Sequence, residues 1–126
     1  MKYMLLAYLD ENAWAALSKE EQLAEMNKCE PHVKKLLAAG KILDGAPLHP
    51  TSTATTVRVK KGKRLITDGP FAETREQLGG YTLIEAANLD EAIDIAAGFF
   101  GDSDDDGRTT IEVRPVVDYK MPSVQS

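Results

Sequence analysis

The side chains best suited to acid–base chemistry and ligand binding fall in two places. One is Thr67 to Tyr81, which crowds Asp68-Gly69-Pro70-Phe71, Arg75 and Gly79-Gly80 into one connection between strand-like runs. The other is Pro31-His32. Histidine exchanges protons near neutral pH. Its partner would be a carboxylate that orients the ring, and Asp68 is the first candidate. Asp68 and Gly69 equally suit a tight turn, because aspartate accepts from its own following backbone and glycine permits positive φ. Phe71 either anchors the loop in the core or offers a stacking surface. Arg75 carries a planar fork that grips carboxylate or phosphate in two bonds. It either pairs with Glu73, Glu76 or Asp68, or holds an anionic or polar substrate. Gly79-Gly80 permits positive φ or close approach by another chain.

Other chemistries lack their residues. Two histidines, His32 and His49, without Cys or Glu at ligand spacing make a poor zinc site. His49 sits in a proline-flanked loop and is expected to be exposed. No phosphate-binding glycine pattern and no Gly-x-Ser-x-Gly nucleophile occurs. No cofactor and no metal is called for. Cys29 is the single cysteine, so no intrachain disulfide can form, and an unpaired thiol fits a reducing compartment. It is read as a small packed hydrophobe rather than a nucleophile. The net charge of −5 argues against nucleic acid, which needs basic patches. Lys60 to Arg64, the one basic cluster, reads as a hairpin tip. No apolar run is long enough for a bilayer and no signal peptide is evident. A cytoplasmic protein with no membrane partner is expected.

The elements that must position these residues follow from local patterns. Lys2 to Tyr8 is apolar at nearly every position, the mark of a strand covered on both faces. Ser18 and Glu21 have capping-box spacing and open a helix over 19–39, with Leu23, Met26, Val33 and Leu37 on one stripe. Pro31 kinks that helix near Asn27 or divides it in two. Gly40 stops it. Ile42 to Leu48 is a short strand. Residues 53–60 and 64–67 form a hairpin about Gly62. Tyr81 to Ala86 is a strand. Asn88 and Glu91 cap a second helix with Leu89, Ala92, Ile93, Ala96 and Phe99 on one side. An acidic loop, Asp102 to Gly107, precedes a last strand over 109–117, with Ile111 and Val113 facing one way. Residues 1–118 form a single domain and 119–126 a C-terminal tail.

Without the hairpin the order is βαβ-βαβ, an α+β ferredoxin-like arrangement with an inserted β-hairpin. Two helices then cover one face of the sheet. The first strand is apolar on both sides, and Tyr81, Leu83 and Ile84 suggest the same nearby. A large bare apolar face is not tolerated on a monomer. A homodimer with two sheets packed face to face is therefore expected.

The run Asp68-Gly69-Pro70-Phe71-Ala72-Glu73, followed by Glu76-Gln77-Leu78-Gly79-Gly80-Tyr81, resembles the signature of the YCII-related family, in its DGPF branch. Met1 to Leu6 and Ser52 to Arg58 are similar to that branch as well, and the resemblance extends to about Val116. It implies a ferredoxin-like fold assembled as a dimeric α/β barrel. It also implies a family that includes small enzymes acting through a His–Asp pair, one type of which removes halide from a ring lactone or quinone-like substrate. The context of His32 is similar to that of the family histidine. The family acid falls near Asp44, whereas Asp68 belongs to the branch's own signature.

Two functions of different class follow. In the first, His32 and Asp68 (with Asp44 second) perform cofactor-free acid–base chemistry of a lyase or isomerase kind. Arg75, Phe71, Asp44 and Tyr81 then contact a small organic molecule inside the barrel or at its mouth. In the second, the protein is a non-enzymatic binding or regulatory module. The resemblance suggests that context, since members of the branch are often encoded near alternative sigma factors.

Overall fold

The computed structural model describes residues 1–101, 108–120 and 122. The acidic loop expected at 102–107 and most of the tail beyond 120 lie outside the described residues. The elements are β1 (Lys2–Leu9), α1 (Glu11–Ala15), α2 (Lys19–Asn27), α3 (Glu30–Ala38), β2 (Ile42–Pro47), β3 (Thr55–Lys60), β4 (Lys63–Asp68), β5 (Gln77–Glu85), α4 (Leu89–Gly98) and β6 (Thr109–Pro115). A single 3-10 turn, Thr51–Thr53, precedes β3.

Four strands form one sheet in the order β2-β5-β1-β6, and every neighbouring pair is antiparallel. β3 and β4 form a separate two-stranded sheet. This α+β arrangement is compatible with a ferredoxin-like fold carrying an inserted hairpin. The hairpin turns through Lys61 and Gly62, both at positive φ, as a two-residue connection between paired strands requires.

The long helix expected over 19–39 is two helices. Ser18 and Glu21 form the capping box that starts α2. α2 ends at Asn27, and α3 begins with Pro31 in its first turn, where the missing N–H is no loss. The break re-phases the two pieces, so the expected stripe does not survive it. Leu23, Met26 and Leu37 are exposed, and Leu36 is the residue α3 buries. α4 likewise buries Ala92, Ile95 and Ala96, while Leu89 and Ile93 stay outside. Gly40 takes φ +70 and ends α3 as expected.

The core lies between these helices and one face of the sheet. Tyr3 and Leu5 of β1 and Ile84 of β5 meet Leu36, Ala92, Ile95 and Ala96 there. Ile42, Ile111 and Val113 pack against the margin. Strand side chains alternate between faces, so Met4, Leu6 and Tyr8, with their neighbours Leu83 and Tyr81, belong to the other side. These five are only half-buried. No helix of the described residues is long and apolar enough to cross a membrane.

Candidate functional site

His32 stands on the first turns of α3 and faces α4. Its Nε2 lies 2.8 Å from the carbonyl oxygen of Ile95. A carbonyl only accepts, so in the neutral ring Nε2 carries the proton and Nδ1 keeps its lone pair. Nδ1 has no protein partner among the described residues. No buried side-chain nitrogen or oxygen among the described residues is without one, so Nδ1 is reached by solvent. The ring meets Phe99 edge-on, with centroids 5.1 Å apart at 87°. It rests against Gly98, where an added Cβ would collide with the imidazole. Gly98 is a contributor that sequence reasoning missed. A glycine just before the end of a helix reads as a stop, and only the packing of α3 on α4 reveals it as a seat for a ring.

Beside this pair of helices the sheet floor is bare. Ala7, Gly45 and Gly80 occupy the helix-side ends of β1, β2 and β5 and carry little or no side chain. The result is a cleft of about 590 Å³ between α3 and the β2–β5 edge. Val33, Leu37, Ile42 and Phe99 wall it with hydrocarbon, and the Cys29 thiol and the Thr82 hydroxyl supply polar groups. Asp44 and Tyr81 border it along the strands, while their side chains share the far face with Leu83 and Leu6. His32 does not itself line the cleft, but Phe99, against which it packs, does. A volume of this size falls within the range of small-molecule sites, which run from about 300 to 1,000 Å³.

Gly45 is required by the backbone, and Gly80 sits where a side chain would be tight. A Cβ on Gly45 would stand 2.8 Å from the Tyr81 carbonyl oxygen, and one on Gly80 would stand 3.2 Å from that of Ala46. Neither Gly79 nor Gly80 has positive φ. Their close approach is to strands of the same chain. Ala7 pairs with Gly80 and Tyr8 with Leu78, so Gly79 is the extra residue of a β-bulge.

The remaining candidates are distributed as follows. Asp44 sits at an irregularity of β2, and its Oδ1 accepts from the N–H of Gly45 at 2.8 Å. Tyr81 is half-buried on β5. Asp68 ends β4 on the hairpin and is exposed. The turn after it depends on Gly69, which takes φ +94 and donates to the Ala54 carbonyl at 2.7 Å. Thr56 Oγ1 donates to the Gly69 carbonyl at 2.7 Å and closes the hairpin base. Phe71 is 77% exposed, so it anchors nothing in the core of its own chain. Arg75 is exposed and makes no ion pair among the described residues. His49 is exposed. Within one chain, His32 hydrogen-bonds with neither Asp68 nor Asp44; the Ile95 carbonyl orients its ring instead. Asp44 and Tyr81 border one cleft along the strands and turn their side chains to the far sheet face, while Asp68 and Phe71 lie on the hairpin side.

Comparison with known proteins agrees with the signature at residues 68–81. The model of the YCII-related domain matches residues 1–119. An uncharacterised protein of Rhizobium meliloti (strain 1021) is 42% identical over 126 residues, covering the whole of both chains. The chain is thus a member of the YCII-related domain family.

Proposed function

We propose that the protein binds a small, largely apolar organic molecule in the cleft between α3 and the β2–β5 edge, and that it does so as a homodimer whose sheets pack face to face into an α/β barrel. The cleft carries this reading. It pairs hydrocarbon walls with the Thr82 hydroxyl and the Cys29 thiol, the mixture that fixes a small ligand in one orientation. The dimer is supported by the far side of the sheet, where Met4, Leu6, Tyr8, Tyr81 and Leu83 stay half-buried in one chain. A second sheet laid on that side would complete their burial.

Thermal-shift measurements with small aromatic acids and lactones test the binding. A ligand that binds the native fold raises its melting temperature by mass action. The same panel on Val33→Trp, which fills the cleft, should show no rise. The reading fails if no compound raises the transition, or if the rise survives in the filled variant.

A second reading, proton transfer by His32, is supported by the bond from Nε2 to the Ile95 carbonyl, which leaves Nδ1 as a basic nitrogen open to solvent. A positioned base of this kind gives roughly 10²–10⁴-fold acceleration. Any turnover found for a cleft ligand should then fall by about that factor in His32→Gln, with binding little changed. Equal turnover in the variant would remove His32 from the chemistry.

A further inference from the structure

A second cleft of about 550 Å³ lies beneath the signature loop, on the hairpin side of the molecule. Tyr8 and Leu78, which pair across β1 and β5, form its floor at the end of the sheet. Leu48, Pro50 and Phe71 form its sides. The segments that close it are tied down. Glu11 accepts from the N–H and the hydroxyl of Thr51 at 2.8 and 2.7 Å. Thr74 accepts from the Gln77 side-chain amide. The Leu48 N–H donates to the Gly79 carbonyl at 2.8 Å.

The permanent charge in this cleft is negative. Glu76 lines it as the one carboxylate and His49 as the one basic side chain; neither lysine nor arginine does, and Arg75 is not among its walls. Thr110 Oγ1 donates to Glu76 Oε1 at 2.9 Å, which fixes the carboxylate and leaves Oε2 without a protein partner among the described residues. Tyr8 and Phe71 place aromatic rings on the same cavity. A carboxylate together with aromatic faces favours a cation, since ring faces attract positive charge and Glu76 repels an anion. The apolar remainder of the wall demands a hydrocarbon body on that cation.

We infer that this cleft is a second ligand site, separate from the one beside α3, and that it selects small amines with an aromatic or alkyl body over the matching carboxylic acids. The inference does not rest on the first cleft; Tyr8 stands at the rim of the sheet face assigned above to the dimer, so the site would border that interface.

Titration of the intact protein with 2-phenylethylamine and with 3-phenylpropionate, followed by backbone amide NMR, tests it. The amine should move the resonances of Tyr8, Phe71, Gln77 and Leu78. The acid should bind at least about tenfold more weakly, the size expected for loss of one charge-assisted contact. Glu76→Gln should remove that preference while leaving the spectrum dispersed. Phe71→Ala, at an exposed position that does not hold the fold, should weaken the amine alone. Equal binding of acid and amine, an unchanged preference in Glu76→Gln, shifts confined to residues near Val33 and Ile42, or no shift at millimolar amine would each overturn the assignment.

Discussion

Gly98 is the residue on which the placement of His32 depends. Because a Cβ there would collide with the imidazole, Gly98→Ala should push the ring off the Ile95 carbonyl. Overpacking of this kind costs roughly 1–3 kcal/mol. Urea denaturation should show the loss, and the Nε2 proton of His32, held by the Ile95 carbonyl in the parent protein, should exchange faster. An unchanged midpoint and an unchanged proton would show that α4 yields without cost. The sequence marks His32 as notable but says nothing of its seat, because Ile95, Gly98 and Phe99 lie more than sixty positions away along the chain. Phe71 shows the same limit from the other side. A large aromatic in a short loop could equally well plug a core or stand free, and nothing in the local sequence decides which. Here it stands over a cleft.

Between elements, Lys41, just before β2, bonds Glu91 in the first turn of α4. That bond is the main cause holding the Glu91 carboxyl below its ordinary value; desolvation opposes it, and the Lys41 charge adds to it. A carboxylate whose folded pKa is lowered stabilises the fold above its unfolded pKa. The benefit is lost as pH falls through the lowered folded value. Glu91→Gln should therefore melt below the parent at neutral pH, and the gap should close as the solution is acidified. A gap independent of pH would assign the effect to packing rather than charge. Features that depend on a few adjacent residues were legible at this scale. They include the Ser18–Glu21 box, the Asn88 cap, the Gly40 stop and the turn at Gly62. Helix faces were not legible, because Pro31 starts α3 afresh and no periodicity count carries across the break. The start of β5 was also missed by four residues, since Gly79 and Gly80 read as a loop until a bulge and close strand approach account for them.

For the whole molecule, the α+β class with an antiparallel sheet was legible from the alternation of elements. What lies on the second sheet face was not, since the proposed cover is a second chain. Leu83→Glu puts a charge in the middle of that face while leaving the helix-side core untouched. Sedimentation should show a folded monomer for this variant and a dimer for the parent at micromolar concentration. A parent that sediments as a monomer would remove the barrel. Buried charge at such an interface costs several kcal/mol, enough to shift the dissociation constant by orders of magnitude.

β3 and β4 share no ladder with the main sheet, and Val59 and Ile66 are 70% and 62% exposed. A lone two-stranded ribbon is barely stable in water. Hydrogen exchange by mass spectrometry should find its amides trading with solvent well before those of β1 and β5, by opening of the ribbon alone. Equal protection would mean that something outside the chain clasps it. Unzipping these two strands leaves the Tyr3–Ile84 interior intact, so the ribbon can be lengthened, recharged or lent to a neighbour without endangering the body that bears it.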